Sequence, residues 1–287
     1  MTIKILQNAT VIKRSEFIRV EAFAHGVFQL TLARPSVKNA FHEQMILDIT
    51  SSLIELAKNQ NPSDLRVLLL CAEGSAFSAG ADLDFMKAQS LASMSDNKRT
   101  ALSLARMFHA LASFPSPVLA TVQGPAIAGA TGLLACCDHV IASPTASFAL
   151  PEVRLGILAA TIAPYLLRKV GLGATGSLML SGRRIFAPEA LRIGLVNEVA
   201  NSESASDLSE MLASQLENFL AASPEAQRRS KALLFTLAPL PTEASIEYTA
   251  QQLAEARDTA DAREGLTAFF EKRKPAWSLP VVEEKRP

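Results

Sequence analysis

Apolar and polar side chains alternate along Val27-Phe-Gln-Leu-Thr-Leu32, the period of two that a half-buried strand requires, and the run stops at Ala33-Arg34-Pro35. After Asn39 the period lengthens: Met45, Ile49, Leu53 and Leu56 recur at helical spacing, which predicts an amphipathic helix. Asn61-Pro-Ser-Asp64 reads as a turn, and Val67-Leu-Leu-Leu-Cys71 as a buried strand ended by Glu73-Gly74. A small-residue loop follows, Phe77-Ser-Ala-Gly-Ala-Asp-Leu83, then a polar segment, Gln89 to Lys98, expected to be mobile, and a helix from about Arg99 to Ala112.

The same order then returns. Pro117-Val-Leu-Ala-Thr-Val122 predicts a buried strand that feeds a second small-residue stretch, Gly124 to Asp138, in which a helix starts near Gly129; His139-Val-Ile-Ala142 is a further strand. Recurrence of strand, loop and helix predicts stacked α/β units, although no residue-level repeat has a fixed period. Beyond Pro151 the pattern is helical, over Ile162 to Val170, Thr175 to Leu180 and Pro188 to Gly194, the last opened by a proline in its first turn. After the polar run Asn201 to Asp207, four amphipathic helices are expected, Leu208 to Ala221, Pro224 to Leu237, Glu243 to Arg257 and Asp261 to Lys272. Their apolar stripes have no predicted sheet to cover, so they are expected to pack on the core or on neighbouring subunits. The division that follows is a core over 1–200 and a helical region over 201–287, within the size range of one domain with an appendage.

Charge changes the picture by exclusion. Lys+Arg and Asp+Glu both number 28, so no long-range field attracts nucleic acid or acidic membranes. Met107 to Cys137 carries no Asp, Glu, Lys or Arg, yet Pro115, Pro117 and Pro125 break any continuous membrane-spanning helix there. No apolar leader is followed by a small-residue cleavage site, and a cytoplasmic location is expected. Cys71, Cys136 and Cys137 are odd in number and lack metal-ligand spacing, which predicts buried thiols in a reducing compartment and no metal site.

Three motifs invite a reading and fail on one residue or on context. Gly124-x-x-x-x-Gly129 resembles a P-loop, but Ala130 stands where the phosphate-binding lysine must be. Gly171-Leu-Gly-Ala-Thr-Gly176 follows a helix rather than a strand, so Gly171 reads as a helix end instead of a dinucleotide loop. Ala76-Phe-Ser-Ala-Gly80 approximates a nucleophile elbow without its first glycine, which keeps a serine hydrolase built on Ser78 as an alternative of another class.

Two small-residue loops after buried strands offer backbone N–H groups that can converge on one oxygen, the recipe for an oxyanion hole. The helix beginning near Gly129 adds the positive end of its dipole. Glu152, in Ala149-Leu-Pro-Glu-Val153, is a carboxylate among apolar residues; burial would raise its pKa into a range useful for proton transfer, whereas pairing with Arg154 would make it an ordinary surface acid.

Five ordered segments, Arg34-Pro35 with Asn39-Ala40, Phe77 to Leu83, Gln123-Gly124 through Cys137-Asp138, Pro151-Glu152 with Leu155-Gly156, and Phe269 to Trp277, resemble the enoyl-CoA hydratase/isomerase (crotonase) superfamily over nearly the whole chain. The resemblance implies an α/β fold of stacked β-β-α turns in a superhelix, with a C-terminal helical region used for trimer assembly and commonly a hexamer. It implies no permanently bound cofactor, and a substrate carried as a coenzyme A thioester. Carried over, the oxyanion hole would be the N–H groups of Ala81 and Gly129 with Glu152 as acid and base. Ala79, Ala81, Asp82, Leu83 and Asp84, with Gly129 and the weaker candidate Lys38, would line the CoA cleft. Hydratases of the best-known kind carry a second glutamate where Gly132 stands. Hydration, extending to branched glutaconyl-CoA thioesters, is therefore the first expectation, isomerisation with Glu152 alone the second, and a silent CoA-binding protein the third.

Overall fold

A computed structural model describes residues 5–58, 61, 63–237 and 259–278. Strands β1 (Thr10–Arg14), β2 (Ile18–Phe23) and β3 (Val27–Leu32) form an antiparallel meander. Helix α1 (Glu43–Ala57) then leads to β4 (Val67–Ala72), and α2 (Leu83–Ser90) and α3 (Met94–Ala112) lead to β5 (Val118–Val122). Next come β6 (Ala126–Ile127), α4 (Gly129–Ala135), β7 (His139–Ala142), β8 (Ser147–Ala149), a 3-10 turn (Pro151–Leu155) and α5 (Ala163–Ser181). The remainder is β9 (Arg184–Phe186), α6 (Ala187–Arg192), β10 (Glu198–Val199), α7 (Ala205–Ala221), α8 (Pro224–Leu237) and α9 (Ala260–Phe270).

The main sheet has the order β1-β2-β3-β4-β5-β7-β10 and runs parallel from β3 onward, and a small second sheet has the order β6-β8-β9. Parallel strands in register require a crossover between them, and α1, the α2–α3 pair and α4 supply it. This is the stacked strand-and-helix winding expected from the recurrence in the sequence.

The run Val67-Leu-Leu-Leu-Cys71 is continuously apolar because both faces of the sheet are covered. Leu68 and Leu70 point into one cluster with Met45, Ile49 and Leu53 of α1 and Met107, Phe108 and Leu111 of α3. Val67 and Leu69 point the other way, with Val27, Leu119 and Ile141, onto Leu208, Leu212, Leu216 and Leu220 of α7. The first of the C-terminal helices therefore does have a sheet to cover, contrary to expectation; each of its buried leucines contributes roughly 1.5–3 kcal/mol.

The segment from Gln89 to Lys98 is largely helical. Ser93 caps α3 by accepting from the Asp96 N–H at 3.1 Å while its hydroxyl donates to the Asp96 carboxylate at 2.7 Å, so the helix starts five residues before Arg99. The two helices predicted on either side of Gly171 are continuous but for a break at that glycine, whose φ of 75° and ψ of 170° are not helical. Strands β1 and β2 and the short β6, β8, β9 and β10 carried too little pattern to be expected. The predicted helix from Glu243 to Arg257 lies outside the described residues. No described helix is long and apolar enough to cross a membrane.

Candidate active site

The first loop is built by a buried asparagine. Asn39, fully buried and held at a φ of 52°, accepts the Arg34 N–H at 2.8 Å through Oδ1, while Nδ2 donates to the carbonyls of Glu73, Ala76 and Phe77 at 2.8, 3.0 and 3.2 Å. Gln123 Nε2 donates to the carbonyls of Ala72, Gly74 and Ala76, so the same backbone is held from both sides. Phe41 pairs across the loop end, its N–H on the Gly80 carbonyl at 2.7 Å and its carbonyl accepting the Asp82 N–H at 2.8 Å. Between those two bonds, the Ala81 N–H has no acceptor among the described residues.

The second loop docks directly on the first. Ser78 N–H donates to the Pro125 carbonyl and Ile127 N–H to the Ser78 carbonyl. Gly80, at a φ of 89°, is the contact: a Cβ there would stand 2.9 Å from the Ile127 oxygen and 3.0 Å from Ala128 Cβ, so only glycine permits this approach. Ala128 then takes a φ of 55° and ψ of −121°, costing about 1–3 kcal/mol, with its N–H on the Ala149 carbonyl at 2.8 Å. That turn delivers Gly129 to the first position of α4, where its N–H also has no acceptor among the described residues. The two loops predicted from the sequence lie directly against each other, and the Ala81 and Gly129 amides on them have no acceptor among the described residues.

Glu152 arrives by the second sheet. Strand β6 pairs with β8 (Ala126 with Phe148, Ile127 with Ala149), and the 3-10 turn carrying Glu152 begins two residues after β8. Arg154 does not pair with Glu152; its Nε donates to the Ser181 carbonyl at 3.2 Å. The Glu152 Oε2 is buried without a hydrogen-bond partner. Burial therefore pushes the carboxyl above its ordinary value, opposed only by a bond from its own backbone N–H. A half-buried acid with an unpartnered oxygen and a raised pKa has the attributes of a proton carrier.

The remaining predicted residues divide. Ala79, Ala81, Leu83, Asp84 and Lys38 are exposed on or beside the first loop, Lys38 at a φ of 53° with its carbonyl holding the Ala79 N–H. The Asp82 side chain is committed to the protein: it caps α2 through the Asp84 and Phe85 N–H groups and takes a 2.7 Å ion pair from Arg34, whose bond holds the carboxyl below its ordinary value. Sequence reasoning missed Asn39, Arg34 and Gln123 as loop-holding side chains; the mixture of polar residues around Pro35 and Gly124 was the available signal.

The serine hydrolase reading fails on geometry. Ser78 is fully buried, donates its hydroxyl to the Asn39 carbonyl at 2.8 Å and accepts the Gly80 N–H at 3.2 Å, so its oxygen is a structural brace. No histidine bonds to it, since His139 lies against Glu198 at 3.1 Å on another strand. Cys136 and Cys137 are buried, with the Cys137 thiol pushed up to about 12, and Cys71, pushed up to about 11, is likewise unsuited to nucleophilic work.

Residues 22–279 match the family model described as enoyl-CoA hydratase/isomerase. The chain belongs to that family. It is 34% identical over 247 residues to the crotonyl-CoA hydratase of Syntrophomonas wolfei, covering 85% of this chain and 92% of that one. It is 31% identical over 250 residues to the 2,3-dehydroadipyl-CoA hydratase of Escherichia coli K12, covering 87% and 94%. The crystal structure of an enoyl-CoA hydratase from Shewanella pealeana superposes with a TM-score of 0.84 at 35% identity, covering 91% of this chain and 96% of that one. The fold is thus the crotonase fold, and the protein is an enzyme of the enoyl-CoA hydratase/isomerase family acting in acyl-CoA metabolism.

Proposed function

We propose that this enzyme adds water to an α,β-unsaturated acyl-CoA. The observation that carries the reading is the combination of two acceptorless amides, Ala81 and Gly129, on interlocked loops with a buried, unpartnered Oε2 on Glu152, whose turn follows the strand paired with the second loop. The thioester oxygen accepts from both amides. As the water oxygen bonds to Cβ, Glu152 takes a proton from that water and the π electrons pass to the thioester oxygen. The enolate then reforms the thioester as Cα takes a proton from Glu152, so one water is added and the carboxylate is regenerated. Donors fixed in advance at the oxygen where charge develops contribute roughly 3–4 kcal/mol each.

The exposed residues Ala79, Ala81, Leu83, Asp84 and Lys38 form the cleft for the CoA portion in this reading, with Asp82 holding its edge, and the helices that follow α7 serve assembly into a trimer or a dimer of trimers. Branched or carboxylated acyl groups, as in glutaconyl-CoA thioesters, fit a site with one carboxylate of its own. The enzyme acts in the cytoplasm in this reading. Double-bond isomerisation is the second reading, favoured by Gly132: moving a double bond needs a single base that lifts and returns a proton through the same enolate. A panel of straight, branched and carboxylated 2-enoyl-CoAs and 3-enoyl-CoAs, followed by loss or gain of conjugated absorbance and by product identity, separates the two. Binding of CoA thioesters without turnover of any panel member would leave only the silent binding protein.

A further inference from the structure

Water addition requires one proton removed from water and one delivered to Cα. Two groups can divide that work, or one can perform both in turn, and the packing around Gly132 distinguishes these cases. Gly132 lies on α4, three residues after the Gly129 donor. A Cβ at Gly132 would stand 2.9 and 3.0 Å from Cγ1 and Cγ2 of Ile162 and 3.0 Å from Cε1 of Phe108. Both side chains are buried in the main core, and Phe108 is backed by the Tyr165 ring at 6.1 Å between centroids. The same Phe108 extends to the donor itself, with its Cζ 3.8 Å from where a Cβ on Gly129 would lie. The flank of α4 beside the donor is therefore a closed hydrocarbon wall and not an empty place for a polar group.

We infer that Ile162 and Phe108 determine how this enzyme handles protons: by closing the α4 face to any carboxylate they leave Glu152 as the single proton-transfer group, so that the proton taken from water is the one returned to Cα. The inference rests on the enoyl-CoA reading above. Helix α5, which packs against the Glu152 turn, carries no Asp or Glu. Arg154 is held by the Ser181 carbonyl, Arg168 of α5 lies over the Phe235 ring, and Lys169 donates to the Cys137 carbonyl. Tyr165 is the one neutral titratable neighbour on α5, and burial pushes its phenol above its ordinary value, outside the working range.

Two measurements test this on the intact protein. The pH profile of kcat/KM for crotonyl-CoA hydration is expected to show one acidic limb of unit slope and a plateau above it, whereas a site dividing the work between a base and an acid gives a bell. In thermal melts, Gly132→Ala is expected to lower Tm by several degrees, and the Ile162→Ala change to cost less in that background than in the wild type, because the two side chains compete for one volume. Opening the wall while supplying an acid, in Gly132→Glu with Ile162→Ala, is expected to add an alkaline limb. A bell-shaped wild-type profile that persists in Tyr165→Phe, or a Gly132→Ala protein that melts like the wild type, overturns the inference while the hydratase reading stands. No turnover of any enoyl-CoA removes that reading and the inference together, and the melts still report on the wall.

Discussion

The two loops that present the free amides reach similar ends by different physics. The Ala81 loop is held by polar side chains: Asn39 on three carbonyls, Gln123 on three, and the Arg34–Asp82 pair at the start of α2. The Gly129 loop has one such brace, Thr131 Oγ1 on the Ala126 and Ala149 carbonyls; otherwise it is fixed by a strained Ala128 and by hydrocarbon packed against Gly132. A polar brace tolerates the exposed setting of Ala79, Ala81, Leu83 and Asp84. A hydrocarbon brace keeps the other side of the donor dry, where its dipole acts most strongly.

That contrast is breakable, beginning with its strongest member. Asn39→Ala leaves the Glu73 and Phe77 carbonyls and the Arg34 N–H without this partner and the Ala76 carbonyl with Gln123 alone, and is expected to destabilise the protein by about 3 kcal/mol or more, measured by denaturant unfolding. Gly132→Ala attacks the second loop by overpacking and is expected to cost about 1–3 kcal/mol, with the first loop intact in hydrogen exchange. Asp82→Ala removes a cap and a part-exposed ion pair, for about 1–2 kcal/mol. Ala128→Gly relieves the positive φ at the expense of backbone entropy, and is expected to raise stability by about 1 kcal/mol while lowering kcat through a less fixed donor.

The two carboxylates differ in sign under acid. Asp82 has a folded value below its unfolded one, so its stabilisation is present above the unfolded value and disappears as pH falls through the folded one. Glu152 has a folded value above its unfolded one, so its charged form weakens the fold progressively as pH rises across that interval. Glu152→Gln is accordingly expected to melt higher than the wild type at neutral pH, with the difference closing in acid.

Much of this site was legible because its chemistry depends on residue type and local order. Small residues after two apolar strands indicated two donor loops, and Pro151-Glu152 among hydrophobic neighbours indicated a buried acid. What escaped was set by distance along the chain. Asn39 acts on carbonyls 34 to 38 residues away, and Ile162 meets Gly132 across a crossover, neither of which leaves a local pattern. The Ser93–Asp96 cap was local and legible in principle, but the polar run around it masked the start of α3. The leucine stripe of α7 was visible, and only the sheet's second face, formed by Val67 and Leu69 alternating with Leu68 and Leu70, reveals what it covers.

The central claim is that the carboxylate of Glu152 carries the protons for a thioester held by Ala81 and Gly129. Its most direct test is kcat/KM for crotonyl-CoA hydration by folded Glu152→Gln beside the wild type. The account predicts a loss of roughly 10²–10⁴-fold with CoA-thioester affinity retained. Hydration at the wild-type rate by the Gln variant would contradict it.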